Sequence, residues 1–349
     1  MADISQKIND GFTEADFRFK NTGDEIMIDT NFASQSFWRE VVSQFVKKKS
    51  AIFGLIAIIV ITILAIVGPG MNSYTYSDQD LLKKNFAPRI PGIESLGIFD
   101  GSESISTTTG SKEINYYEDM GYEDTYFWFG SDNFGRDIWT RTWSGARVSL
   151  IIAVAAAIID MLIGMSYGLI SGYFGGRVDM VMQRILEVSN GIPRLVIVTL
   201  LLLVLKPGII TIVFALMLTE WIGMSRIARA EMLKLKEQEF VLASRTLGAR
   251  PFFIIFKEVL PNIIGPIITQ VMFSIPTAIF TEAFLSFVGL GIPVPQCSLG
   301  SLISEGFNSF TTHPYQIVPP IIVMALLMLS FNLVADGMRE ALDPKFKEM

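Results

Sequence analysis

The side chains in this chain best placed to act on another molecule lie in one basic stretch. Arg229, Lys234, Lys236, Arg245 and Arg250 fall between Arg226 and Lys257, with apolar segments on either side. A structured, basic helix–Gly–helix insert between apolar segments suits gripping something soluble on the cytoplasmic side. Over residues 239–247, Phe240, Ala243 and Leu247 share one face of a short helix. Gly248 fits the position just past its end, where left-handed backbone is common. Pro251 suits the first turn of a following helix, which Phe252, Phe253 and Phe256 begin and which leads towards Pro261. Two short helices joined by a tight turn can transmit a push, which a floppy linker cannot. The same pattern fits an ordinary cytoplasmic loop with amphipathic helices, and the residues alone leave both readings open.

Little else in the sequence suggests reaction chemistry. A single histidine, His313 before Pro314, reads as a loop residue and leaves no material for a His-ligated metal or a His-centred triad. The one cysteine, Cys297, excludes an internal disulfide and a Cys-based metal cluster. No G-x-x-x-x-G-K-[ST] run is present, and Gly172-Tyr173-Phe174-Gly175-Gly176 lacks both the lysine and the strand–helix context of a phosphate loop. No catalytic residue, metal or cofactor is therefore expected in this chain. A net charge of −6 argues against nucleic acid, which needs a concentrated basic face.

With half its residues hydrophobic, only 18% charged and a mean hydropathy of +0.45, the chain reads as an integral membrane protein. The first 35 residues are polar and lack the apolar run of a cleavable signal. A crossing helix needs ~20 apolar residues for ~30 Å of hydrocarbon. Six spans are expected: Ala51 to Val67, Val148 to Ile170, a third from near Asp179 to Leu205, Ile209 to Met224, Ile263 to Val288, and Pro319 to Val334. The third carries Arg184, Glu187 and Arg194 on one side. The fifth is interrupted by Pro266, Pro276 and Glu282. Lysine and arginine near span ends stay cytoplasmic. Arg39, Lys47–Lys49, Arg177, the basic stretch, Arg339, Lys345 and Lys347 thus put both termini inside. Phe37, Val41 and Phe45, with Trp38 beside them, fit either a helix in the headgroup layer or an extension of the first span. Residues 70–147 then lie outside, and Tyr74, Tyr76, Tyr116, Tyr117, Tyr122 and Tyr126 argue against disorder there. The expected organisation is a cytoplasmic tail with an interfacial helix (1–50), a first span (51–67), an extracellular insertion ending in an interfacial helix (68–147), a core (148–338) carrying the cytoplasmic loop 226–261, and a tail (339–349).

Charges inside spans are costly and either face a wet path or pair across helices. Pairing is favoured for Asp160 and Glu187. Pro276, Gly289 and Gly291 are expected to break the helix around Glu282, which makes Glu282 the leading pore or gate candidate, with Ser286 and Asp160 beside it. Upstream, Asp137 and Arg141 form an i,i+4 pair and Trp139 and Trp143 a second. This segment is expected to run along the outer membrane face before the second span enters. Arg136, Arg141 and Arg147 are expected to pair with acidic neighbours rather than to hold a ligand's carboxylate.

Leu242-Ala243-Ser244-x-x-x-Gly248, followed by Leu260-Pro261, resembles the EAA loop of ABC-importer permeases, whose pattern is E-A-A, three residues, G, nine residues, then I-x-L-P. Leu242 stands for the Glu and Glu258 for the Ile, so that glutamate cannot be invoked. Gly130-Ser131-Asp132-Asn133-Phe134-Gly135-Arg136-Asp137, with Arg141, Gly145, Arg147 and Ser149, resembles a stretch of the oligopeptide/dipeptide branch, with Ser131 in place of Thr. Glu282 to Gly291 with Pro293 and Pro295, and Asn332 to Arg339 with Leu342-Asp343-Pro344, are similar to two further motifs of that branch. The resemblance covers about residues 130–345.

It implies an all-α polytopic protein with six transmembrane helices, a MetI-like permease core and an extracellular insertion between spans one and two, acting as the C-type subunit of an oligopeptide ABC importer. It further implies that Val241, Leu242, Ala243, Ser244, Arg245, Thr246, Leu247, Gly248, Ala249, Arg250, Leu260 and Pro261 couple the chain to an ATPase. The implied partners are a homologous permease, two cytoplasmic ATPases, an extracellular peptide-binding protein, the peptide and membrane lipid. Two rivals remain open from the residues. One is an ion-coupled secondary transporter using Asp160 and Glu282, which predicts internal repeats. The other is a membrane scaffold or receptor whose basic loop recruits a signalling protein.

Overall fold

The computed structural model describes residues 37–107 and 110–342. Expectations for residues 1–36 and for Asp343, Pro344, Lys345 and Lys347 fall outside the described residues. The described chain opens with helix α1 (Phe37–Lys47).

Lys48 is extended (φ −86°, ψ 101°) and separates α1 from α2 (Lys49–Val67), so α1 is not a mere continuation of the first span. Phe45 of α1 packs with Ala51 and Val334. Between α2 and the next long helix, an antiparallel hairpin of β1 (Ser102–Thr107) and β2 (Gly110–Asn115) pairs Ser102 with Asn115. Beside it Phe86, Tyr117 and Phe127 are buried together, with Tyr74, Tyr116 and Tyr122 around them. The Phe86 and Tyr117 rings meet edge-on at 4.6 Å, and the Tyr117 hydroxyl donates to the Ala87 carbonyl at 2.8 Å. Burial pushes the Tyr117 phenol pKa upwards. Four of the six tyrosines that argued against disorder thus help build a small core of the insertion's own.

Helix α3 (Ile138–Phe174) is unbroken apart from a wide π-turn at Asp160–Met165. The expected separate interfacial helix before Val148 is therefore absent: Asp137 caps a helix that starts ten residues earlier and continues as the span. The third span also departs from expectation. α4 (Gly176–Gly191) and α5 (Arg194–Val204) meet at an 80° bend. Pro193 lacks an N–H and forces the residue before it out of helical backbone; Ile192 is accordingly extended (φ −86°, ψ 123°). Then come α6 (Ile209–Leu235), α7 (Glu239–Thr246), α8 (Pro251–Phe287), α9 (Leu299–Asn308) and α10 (Val318–Leu342).

In α8 the expected interruption does not occur, because Pro266 and Pro276 both lie inside a continuous helix. Side-chain hydroxyls bond back onto its carbonyls, Thr269 to Gly265 and Ser274 to Gln270. The helix ends instead at Gly289 (φ +84°), where the Leu290 amide reaches the Leu285 carbonyl at 2.8 Å. Among the described residues, α2, α3, α6, α8 and α10 are long and apolar enough to cross a membrane, and the bent α4–α5 pair brings the number to six.

Helices α3 and α6 touch along three glycines spaced by four. A Cβ on Gly164 would stand 2.5 Å from the Trp221 carbonyl oxygen, one on Gly168 2.2 Å from that of Ser225, and one on Gly172 2.9 Å from the Met232 Cβ. Small residues at this spacing let membrane helices approach backbone to backbone. Gly168→Leu should push the helices apart at a cost of roughly 3 kcal/mol, the upper end for overpacking a tight core. Gly223→Leu is the matched control, since its nearest neighbour is 3.8 Å away. Thermal unfolding of the two variants in detergent should show a lowered midpoint for the first and a near-wild-type midpoint for the second.

Candidate functional site

The helix ends gather into two groups. The first turn of α2, the last turns of α3, α6 and α10, and the start of α8 share one end of the bundle with α7. The insertion, α9 and the start of α10 lie at the other.

At the first end, Arg229 of α6 holds Asp179 of α4 through two contacts of 2.6 Å. The chain then turns into α7. Val241 is fully buried in a cluster with Met232, Ile254 and Val259, whereas Phe240, Leu242 and Leu247 are exposed, Leu247 at 87%. Val241 therefore anchors the insert, with Phe240 and Leu247 open on one side of the helix and Leu242 on another. The face expected from Phe240, Ala243 and Leu247 is not the buried one. Helix α7 closes with the Gly248 amide on the Arg245 carbonyl (3.1 Å) and the Ala249 amide on the Ser244 carbonyl (3.0 Å). This paired closure places a left-handed residue just past the helix, and Gly248 has φ +80° with no atom within 4 Å of a built Cβ. Arg250 is extended and Pro251 takes the first turn of α8. Ser244 donates to Glu258, tying α7 to α8 a second time. Thr246 bonds back to the Leu242 carbonyl, and the Arg245 guanidinium lies 6.0 Å from the Tyr173 ring centre. Leu260 and Pro261 continue α8 directly.

Of the carboxylates singled out within spans, Glu282 and Asp160 are inside the bundle and Glu187 is not. Glu282 is fully buried and accepts from Ser149 (3.0 Å) and Ser286 (2.8 Å). Ser286 is itself buried, and Asp160, in the π-turn, accepts from Ser274. Glu187 lies on the surface of α4 beside Arg184.

At the opposite end the arginine-rich motif turns out to be a clamp. Arg136 and Arg141 are each 1% exposed. The Asp132 carboxylate accepts from the Arg136 Nε (2.6 Å) and from Arg141. Glu305 of α9 accepts from both guanidiniums at 2.7 Å. Arg141 therefore pairs with Asp132 and Glu305 rather than with Asp137. Asp137 precedes the helix, and its carboxylate is taken by the Thr140 amide (2.8 Å) and by Asn72 (2.7 Å). Gly135 (φ +70°) has no room for a side chain, since a Cβ would stand 1.8 Å from the Asp80 carbonyl. Arg147 caps the end of α2, with its Nε 2.8 Å from the Ala65 carbonyl. The Trp139 and Trp143 rings do meet, at 5.6 Å. Sequence reasoning missed Glu305, which no motif marks, and the Gly164–Gly168–Gly172 spacing, which is a readable signal.

Removing Glu305 leaves two buried guanidiniums sharing one carboxylate, Asp132, and breaking a buried ion pair costs about 3–5 kcal/mol. Glu305→Ala should therefore destabilise the protein strongly. The same substitution in an Arg136→Met, Arg141→Met background should cost far less, as a thermal-melt double-mutant cycle would show.

Against this geometry, the profile of the family described as "Binding-protein-dependent transport system inner membrane component" matches residues 161–348, more than half the chain. That of the "N-terminal TM domain of oligopeptide transport permease C" matches residues 36–88. The oligopeptide transport system permease protein OppC of Bacillus subtilis is 40% identical, covering 94% of this chain and 95% of its own. The dipeptide transport system permease protein DppC of the same organism is 39% identical, covering 90% and 86%. OppC of Escherichia coli is 32% identical over 89% and 92%. Sustained along nearly the whole length, that identity makes the chain a member of the family of binding-protein-dependent transport permeases that includes the OppC and DppC proteins: a membrane transport subunit and not an enzyme.

Proposed function

We propose that this chain forms half of the translocation path of an ATP-driven oligopeptide importer, paired with a homologous permease subunit. Two cytoplasmic ATPases, carrying ATP and magnesium, supply the energy, and an extracellular binding protein delivers the peptide. The relatives' names support the peptide as cargo. The Lys and Arg distribution supports a plasma-membrane protein with both termini cytoplasmic, which puts α7 in the cytosol and the insertion outside.

The observation that carries this reading is the build of residues 239–250. An insert serving only to join two spans has no need of a fixed closure, a buried anchor and a second tie to the next helix. This one has all three, in Gly248, Val241 and the Ser244–Glu258 bond, and still leaves Phe240, Leu242 and Leu247 outward. An ATPase groove covering those side chains would gain burial energy and find Arg245 and Arg250 at its rim. Closure of the two ATPases would shift α7, and the rigid turn would pass the shift to α8. The binding protein would dock on the insertion and the 290–318 segment. Nucleic acid has no place in this scheme.

Gly248→Val tests the coupling. A β-branched residue in left-handed backbone costs about 1–3 kcal/mol, whereas asparagine tolerates that region. In reconstituted importer, Gly248→Val should lower peptide uptake by about tenfold or more for that strain, with ATP hydrolysis continuing, while Gly248→Asn stays near wild type. Full uptake by the valine variant would remove the coupling role.

A further inference from the structure

Another charged pair lies open where Glu282, Ser286 and Asp160 are shut in. Arg194 starts α5 just after the Pro193 bend, and its guanidinium lies 2.7 Å from the Glu220 carboxylate. The Arg194 side chain is 53% exposed and that of Glu220 12%. Glu220 stands about 16 Å along α6 from Ile209 at 1.5 Å per residue. That is near the middle of a hydrocarbon layer of ~30 Å, whichever end faces out. A guanidinium half open at that depth faces a water-filled space or a protein partner rather than lipid.

The neighbouring surface agrees. A cavity of about 260 Å³ between α5, α6 and α8 sets Arg194, Thr219, Thr277 and Thr281 among otherwise apolar lining such as Phe280 and Phe284. On α8 the residues at 277, 280, 281 and 284 share one face, and Ile275, Ala278, Ile279 and Glu282 on the other are buried. Large apolar residues are open on this face too, but the open sides of α2 and α10 carry no charge at that depth, only residues such as Ile56, Ile59 and Ile63 on one and Ile322 and Leu329 on the other.

We infer that the Arg194–Glu220 face lines the aqueous path, and that the pair is its charged station for zwitterionic solutes. Arg194 takes a carboxylate and Glu220 an ammonium, each replacing half of the resting ion pair. The ligand class rests on the peptide-permease reading; the wetness of the face does not.

Because the one native cysteine, Cys297, is buried, introduced cysteines report cleanly. In the assembled importer in proteoliposomes, Thr277→Cys and Thr281→Cys are treated with a cationic, membrane-impermeant methanethiosulfonate. Ile59→Cys and Leu329→Cys serve as lipid-face controls. Thiols react as thiolates, which apolar surroundings suppress, so the threonine positions should react about tenfold faster or more, one pKa unit's worth. Rates equal to the controls would overturn the assignment of the face.

Uptake of a free tripeptide, its C-amide and its N-acetyl form is then compared as variant-to-wild-type ratios, which cancels selection by the binding protein. Arg194→Gln should slow the free peptide by roughly tenfold, the worth of one charge-assisted hydrogen bond, and leave the amide little changed. Glu220→Gln should do the same with respect to the N-acetyl form. Should a single variant fail to assemble, the swap Arg194→Glu with Glu220→Arg keeps the pair and should restore assembly with the preferences altered. Equal ratios for all three peptides, with reactive cysteines, would overturn the station. If the wild-type importer moves no peptide at all, the peptide reading fails, while the cysteine rates still judge the face.

Discussion

A charge taken out of water must find its counter-charge or hydrogen bonds within the protein, and this requirement fixes how the helices of this chain are tied together. Helix α3 provides most of the connections. Its first turns send Arg141 to Asp132 and Glu305, its middle sends Ser149 to Glu282 of α8, and its π-turn carries Asp160 to Ser274. Beyond its last turn, Asp179 of α4 is held by Arg229 of α6. Apart from Arg141–Asp132, each link joins residues distant in sequence, and where the partners are buried, removing one becomes costly because the other is left with fewer partners out of water. Apolar packing alone would let long helices slide past one another. Polar pins of this kind give them a register.

The glycine contacts follow from the same setting. Between membrane helices there is little hydrophobic gain, since lipid is as apolar as leucine, so close backbone approach and interhelical hydrogen bonds must supply the attraction. Gly164, Gly168 and Gly172 allow it between α3 and α6. Gly54 allows it between α2 and α10, where a Cβ would stand 2.7 Å from the Ser330 carbonyl. The two ends of the bundle then differ in kind. One is fastened by buried arginines beneath an insertion with its own aromatic core. The other carries α7, anchored by one buried valine and otherwise open.

Local features of the sequence translated directly into structure: the apolar runs, the glycine closing α7, the proline opening α8. Each depends only on residues within a turn or two. Harder to see were features set by partners far along the chain. Asp137 and Arg141 have the spacing of an i,i+4 pair, but Asp137 lies before the helix begins, so its carboxylate caps the amide of Thr140 and leaves Arg141 to Glu305, over 160 positions away. Glu282 looked exposed to a path because prolines and glycines surround it. The two prolines are absorbed within α8, and serines from two helices enclose the carboxylate. The bend at Pro193 was readable from the Ile192–Pro193 pair, but a run of apolar residues up to Leu205 hid it within an apparent single span.

Helix α8 explains how one element can serve both ends. It runs from Pro251, next to the Gly248 turn, through a wide π-turn at Ile254–Val259, to Phe287, next to the Gly289 turn. At 1.5 Å per residue that is about 55 Å, longer than the hydrocarbon layer. The Gly248 turn that closes α7 stands just before its start and Gly289 closes its far end, so neither end dissipates a displacement in a loose linker. Compliance lies within the helix instead, at Pro266 and Pro276, where a ring replaces a backbone hydrogen bond. A shift imposed at α7 would therefore flex α8 at these two points before it loosened either terminus. Pro276 immediately precedes Thr277, the first residue of the open face opposite Arg194. The Ser149 and Ser286 bonds to Glu282 hold the back of the same segment, so flexing at Pro276 would change the width of the front while the back stays pinned.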